Sequence, residues 1–229
     1  MKIYAMSDIH GCLEAFYEAL VPVLEHLDEP DVKLVLLGDN IHGGENSREV
    51  IKKIISLQRK YGSEKVIALL GNHEEFVMNG YSSIDSIEPT CADENDLEEE
   101  RYIRWFFELP RYYVEGSTIF VHAGIDEDAG DMWQWGTPEA YFTQKFPADT
   151  GKIEGLSKKV VAGHVSTSQI SGDPRFHGIY YDGASHYYID GSVLESGEIP
   201  VLMVDTKTDK YYQVTENGLL PILPYQEED

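Results

Sequence analysis

The sequence predicts a layered α/β fold. Two observations carry that expectation: short apolar runs of four to seven residues alternate with longer segments of helical period, and after Ile179 the pattern changes to strands and turns. A third is the length: 229 residues, 42% of them hydrophobic and with no linker-like stretch, point to a single domain spanning residues 1–229 with its own core.

Ile3–Met6 reads as the first strand, followed by a helix from Leu13 to Leu27 that Pro22 is expected to kink or divide. Leu34–Leu37 is the second strand. Ser47 has the character of an N-cap for a helix running to Tyr61, in which Val50, Ile51, Ile54, Ile55 and Leu57 form one apolar face. Val66–Leu70 is the third strand, with a helix following Asn72. The polar stretch from Asn79 to Asn95 is expected to be a surface excursion into a helix from Asp96 to Leu109. The acidic run Asp93–Glu100 then reads as a solvated helix start in preference to a cation site. Ile119–Val121 and Val160–Ala162 are further strands, and between them Thr137-Pro138-Glu139 reads as cap, first helical proline and acidic first turn. Tyr187–Ile189, Val201–Val204 and Tyr211–Val214 complete the strands. Tyr-Tyr pairs at 112/113, 180/181, 187/188 and 211/212 send one ring to each face of a strand, which suggests core on one side and surface on the other.

Composition narrows the function. There are 41 acidic against 18 basic residues, a formal charge of −23, which disfavours nucleic acid and anionic membranes as partners and attracts divalent cations. Cys12 and Cys91 form no disulfide framework and no paired-cysteine metal motif. The chain opens directly on a strand-like segment, and no apolar run approaches the ~18 residues of a membrane helix, so a cytoplasmic protein is expected.

The chemistry gathers where strands end. The first ends at Asp8 with His10 two residues on; the second in Gly38-Asp39-Asn40; the third in Gly71-Asn72-His73-Glu74. The fourth is followed by His122-Ala123-Gly124 and the fifth by Gly163-His164. The carboxyl ends of strands form the binding rim of α/β sheets. Any one such residue could be a simple turn or helix cap, but five strands repeating the pattern point to a site. Carboxylate, imidazole and amide oxygen suit Mn, Fe or Zn, with no thiolate to demand a softer metal. Two ions ~3.5–4 Å apart could clamp a phosphoryl group and activate the attacking water.

These blocks together resemble the calcineurin-like metallophosphoesterases, and most of all their bacterial phosphoprotein phosphatase branch. Ile189-Asp190-Gly191 fits that branch's downstream strand, and Ser166 stands where many other members carry a further histidine ligand. The resemblance implies a layered α/β sandwich, with two central mixed β-sheets flanked by helices. It implies one ion on Asp8, His10 and Asp39, and a second on Asp39, Asn72, His122 and His164, with Asp39 bridging. His73 would be the non-ligand imidazole that protonates the leaving oxygen. The activity implied is hydrolysis of a phosphomonoester or phosphoanhydride by metal-activated water, as in bacterial serine/threonine phosphatases, with manganese as the expected metal. The substrate would be a phosphorylated small molecule or a phosphoprotein. A dinucleoside polyphosphate or nucleotide hydrolase, or a weakened metal-binding regulatory protein, is the alternative.

The chain also departs from the family pattern. The second block usually continues Gly-Asp-x-x-Asp-Arg-Gly; here His42 replaces the aspartate that orients the catalytic histidine, and Gly43 replaces a phosphate-gripping arginine. No arginine occurs from Gly124 to Gly163, where the family usually has another. His42 stands open between substitute acid, phosphate contact and neutral replacement. Asn40, Gly43 and Gly44 are candidates for substrate binding, the glycines through backbone N–H groups. Arg48 and Arg175 are the remaining candidates for a substrate anion. Trp133 and Trp135 read as packing anchors in preference to a base-stacking platform, His186 as part of a surface turn, and His26 and His177 as solvent-facing.

Overall fold

The continuous apolar runs are strands buried on both faces, as parallel strands between helical and sheet layers must be. The computed structural model describes residues 1–88 and 97–226. In chain order its elements are β1 (Lys2–Met6), α1 (Leu13–Leu24), β2 (Val32–Leu36), α2 (Ser47–Tyr61), β3 (Val66–Ala68), α3 (Asn72–Met78) and α4 (Leu97–Phe106). There follow β4 (Tyr112–Glu115), β5 (Thr118–Val121), a 3-10 turn at Glu127–Met132, α5 (Trp133–Gly136), α6 (Glu139–Gln144), β6 (Lys159–Ala162) and α7 (Thr167–Ser171). Last come β7 (Tyr180–Tyr181), β8 (His186–Tyr188), α8 (Val193–Ser196), β9 (Leu202–Asp205), β10 (Lys210–Thr215) and β11 (Gly218–Pro221). They build two mixed sheets, one in the order β11-β10-β9-β1-β2-β3 and the other β4-β5-β6-β8-β7. In the first, β1 runs parallel to β2 and antiparallel to β9; in the second, β5, β6 and β8 are parallel.

Three apolar layers hold the sheets. Met6, Leu34 and Leu36 face α1, α2 and α4 through Phe16, Leu20, Ile51, Ile54 and Phe106. Ile3, Ala5, Val35 and Leu37 face the other way and meet Phe120, Val161, Tyr187 and Ile189 between the sheets. Val121, Val160 and Tyr188 then pack against Trp133 and Phe142 on the far side. The tyrosine pairs follow this layering. Tyr187 stacks with Tyr181 and Tyr211 at 4.2 and 4.3 Å between the sheets, while Tyr112 packs on Trp133 and Phe142. The alternation expected for these pairs holds. The second ring, however, enters another apolar layer and not the surface, because both faces of the sheets are covered.

Several local expectations are corrected. The first helix runs unbroken through Pro22 and stops at Leu24; Leu27 mimics helical period because it is buried from a turn. Asn46, not Ser47, flanks α2, and the Ser47 hydroxyl accepts the His42 N–H at 3.0 Å, closing the loop before the helix. Pro138 precedes α6, and the Thr137 hydroxyl accepts the Asp126 N–H at 2.9 Å. The acidic run lies partly outside the described residues. Of its described part, Glu98 and Glu99 reach Arg48, and Glu99 is buried. Among the described residues no helix is long and apolar enough to cross a membrane.

Candidate metal centre

The ladders continue past the strand ends and carry the candidate residues with them. The Asp8 N–H donates to Gly38 O at 3.2 Å, His10 N–H to Asp39 O at 2.9 Å and Gly163 N–H to His122 O at 2.7 Å. Glycine is needed where these ends cross: a Cβ on Gly163 would lie 1.9 Å from Ser7 Oγ and 2.1 Å from Asp8 Oδ2. Among the described residues seven non-glycine residues have positive φ. Five of them are Asp8, His10, Asp39, His42 and His164, with φ between 49 and 70°. Such backbone is costly and persists where a site demands it.

The side chains converge on Asp39. Ligand atoms of Asp39, His122 and His164 all lie within 4.8 Å of one another, and so do those of Asp39, His10 and His73. Asp39 belongs to both groups. Its Oδ2 is 3.4 Å from His122 Nε2 and 3.7 Å from His73 Nε2. Asn72 Oδ1 lies 3.0 Å from His122 Nε2. Asp8 Oδ1 is 3.8 Å from His10 Nε2, and its Oδ2 accepts the His164 N–H at 3.0 Å. Two histidines are oriented by the backbone: His122 Nδ1 donates to Leu37 O at 2.9 Å and His10 Nδ1 to Ile41 O at 3.3 Å, which turns each Nε2 toward the carboxylates, as a metal ligand would need.

The electrostatics match. Burial would raise Asp39, but His122, His73 and His10 hold it well below the usual carboxylate range. Burial opposes charge on His122, yet Asp39 and Asp8 push it up to about 10, so a cation bound there would have to displace a proton. Burial, with His122 nearby, brings His164 down to about 4. Burial also brings His73 down to about 4 against the pull of Asp39, and raises Asp190, with Asp8 adding to it, to about 7. The residues fit two cations. The donors are carboxylate, imidazole and amide oxygen, and the buried Asn40 Oδ1 has no hydrogen-bond partner.

The most consequential residue without an assigned role in the sequence reading is Glu74. Fully buried in the first turn of α3, its carboxylate accepts the N–H groups of Asp39 at 2.9 Å, Asn40 at 2.8 Å and Gly71 at 3.1 Å, and Asn40 Nδ2 at 3.2 Å. Its spacing, three residues after a helix-flanking glycine, was the available signal.

Not every candidate sits as expected. Asn40 is wholly buried and tied to Glu74, and the Gly44 N–H is spent on His10 O at 2.6 Å, so both belong to the framework and not to a substrate surface. Gly43 faces the half-exposed Leu194: a Cβ there would meet its Cδ1 at 2.6 Å. Arg48 is engaged by Asp85, Glu98 and Glu99, and exposed Arg175 by Asp173. Trp133 is a core anchor, whereas Trp135 is exposed. His186 is no surface turn but a buried start of β8, held by Asp182 at 2.9 Å. His26 is half-exposed and paired with Glu29 at 2.7 Å, and the Nδ1 of His177 is buried.

Comparison with known proteins bears on the family and the fold. Symmetrical bis(5'-nucleosyl)-tetraphosphatases are similar in sequence: that of Nitrosococcus oceani is 31% identical over 61% of this chain and 48% of its own length. That of Nitrosospira multiformis is 28% identical over 55% of this chain and 44% of its own length. The chain thus spans about half the length of these relatives. Among solved structures, a cold-active protein tyrosine phosphatase superposes with a TM-score of 0.63 at 13% identity, covering 97% of this chain and 79% of that one. A serine/threonine phosphatase from Saccharomyces cerevisiae gives 0.62 at 14%, covering 100% and 81%, and both share the fold of two mixed sheets. The family model for calcineurin-like phosphoesterases matches residues 1–201, which contain every residue of the centre just described, and the chain therefore belongs to the calcineurin-like phosphoesterase family.

Proposed function

We propose that this protein is a dinuclear metal-dependent hydrolase that cleaves a phosphoanhydride in a small phosphorylated molecule of the dinucleoside polyphosphate or nucleotide class. The observation that carries the reading is that Asp39 belongs to two groups of candidate ligand atoms, one with His122 and His164 and one with His10 and His73, as two ions sharing a carboxylate would need; Asp8, 3.8 Å from His10, takes the ligand place beside His10 that leaves His73 free for proton transfer. Asp8, His10 and Asp39 would hold one ion and Asp39, Asn72, His122 and His164 the other; the donor set suits manganese, iron or zinc, and manganese is proposed on the family resemblance. When bound, the ions supply electrophilic polarisation of the phosphoryl group and activation of the attacking water. The chain's own part is to aim Nε2 of His10 and His122, to hold Asp39 ionised, and to place His73 beside the centre as proton donor to the leaving oxygen.

The substrate class rests on the tetraphosphatase relatives and on charge. At −23 the protein opposes long nucleic acid, and a small ligand meets less of that field. The test is a panel of dinucleoside polyphosphates, nucleotides, sugar phosphates and phosphopeptides with Mn, at low and high salt. The reading expects the highest kcat/KM on the polyphosphates. A clear preference for phosphopeptides would move the protein to the serine/threonine phosphatase class and overturn it. A cytoplasmic setting is part of the same proposal.

A further inference from the structure

One buried chain of hydrogen bonds lies behind His73. His42, 2% exposed, places its Nε2 2.7 Å from the Ser83 carbonyl and its Nδ1 2.9 Å from His73 Nδ1. A carbonyl only accepts, so His42 Nε2 carries the proton. In the neutral ring Nδ1 is then an acceptor, and the proton between the two rings belongs to His73 Nδ1. Ser83 is held to this task. It forms a two-bond bridge with Ser86, the Ile84 N–H donates to Glu99 at 3.4 Å, and Arg48 ties Asp85 at 2.8 Å to Glu99 on α4.

We infer that His42 is a positioning residue that relays the Ser83 carbonyl to His73, keeping a proton on His73 Nδ1 so that Nε2, facing the reacting centre, is the atom that takes up a proton from solvent and passes it to the leaving oxygen. As an uncharged partner, it thereby makes the enzyme selective for substrates whose leaving oxygen needs little protonation. The selectivity rests on the phosphoesterase reading proposed above. A carboxylate behind a catalytic imidazole both orients it and stabilises the imidazolium; an imidazole that accepts one proton and donates another orients without supplying charge. Such a histidine is correctly aimed but weakly supported as an acid. Phosphoanhydrides and aryl esters leave as weak bases and tolerate this. An alkyl ester, such as phosphoserine, leaves as a strongly basic oxygen that must take the proton as the P–O bond breaks, and does not.

The experiment has two arms on the intact 229-residue chain. Imidazole ¹⁵N NMR, with and without Mg added as a diamagnetic ion, should show His73 protonated at Nδ1 and bare at Nε2, and His42 protonated at Nε2. His42→Ala should leave His73 in mixed tautomers. Turnover of aryl and alkyl phosphates of graded leaving-group basicity with Mn should fall steeply with basicity in the wild type. His42→Asp should flatten that dependence, raising the alkyl-to-aryl rate ratio about tenfold or more, within the scale of general-acid catalysis. His42→Gln, which can also donate to Ser83 and accept from His73, should keep the wild-type ratio and serves if the aspartate variant does not fold. Equal loss on every ester in His42→Ala, an unchanged ratio in a folded His42→Asp, or His73 protonated at Nε2 and bare at Nδ1 would each overturn the inference. A wild type inert on every ester and also on a dinucleoside polyphosphate would instead overturn the phosphoesterase reading and the selectivity with it, leaving the tautomer relay to stand or fall on the NMR; one active on the polyphosphate and inert on every ester would overturn the selectivity alone.

Discussion

Asp39 and His73 are joined through the backbone and adjacent through their side chains: the His73 N–H donates to Asp39 Oδ1 at 3.0 Å, and His73 Nε2 lies 3.7 Å from Asp39 Oδ2. The carboxylate at the centre of the ligand groups therefore also sets the start of α3 and the place of the imidazole assigned to proton transfer. His73 is close enough to Asp39 and His10 to be mistaken for a ligand.

That ambiguity is resolved by His73→Asn. The variant should retain its full complement of metal and lose on the order of 10²–10⁴-fold in turnover, the usual scale of general acid–base catalysis. Aryl esters with good leaving groups should lose least. Metal content measured by elemental analysis alongside kcat separates the roles; loss of an ion in this variant would make His73 a ligand.

Glu74 offers a test of framework against chemistry. Glu74→Gln exchanges an acceptor for an amide donor facing the N–H groups of Asp39, Asn40 and Gly71. A buried group left without its partner costs roughly 1–3 kcal/mol, so the variant should melt several degrees lower and bind metal more weakly, since the Asp39 backbone loses its anchor. Unchanged thermal denaturation and metal affinity would show that Glu74 does not hold the loop.

His186 gives a pH dependence away from the centre. Burial works against its charge, but Asp182 and Glu127 outweigh it and raise its pKa, while Asp182 is lowered. A raised folded-state pKa means the contribution is complete below the ordinary value of about 6.5 and is lost as pH rises through the raised one. His186→Ala should therefore cost on the order of 3 kcal/mol near pH 5.5, because Asp182 is left buried without its partner, and less near pH 9. Urea titrations of both proteins at the two pH values test the sign; a difference that grows with pH would contradict it.

Much of this was legible in the sequence, for physical reasons. Asp8, Asp39, Asn72, His122 and His164 could be picked out as candidates because each follows an apolar run at a strand's carboxyl end, a local pattern that fixes position on the sheet. Tertiary partners were not legible. Arg48 reads as a free cation until Asp85 and Glu99 are brought to it across the fold. His186 reads as a turn because its burial depends on Asp182 and the distant Glu127. Gly44 offers an N–H in sequence that the structure spends on His10 O. β7, only two residues long, is too short to display a period. His42 could be seen to depart from the family pattern, but its line from Ser83 to His73 needed coordinates.

The central claim is that two ions share Asp39. Elemental analysis and calorimetric titration with Mn test it most directly. About two ions should bind per wild-type chain, the number a dinuclear centre requires; Asp39→Asn should weaken both, and Asn72→Ala chiefly one. Saturation at a single ion, or an Asp39→Asn variant that still binds two with unchanged affinity, would contradict it.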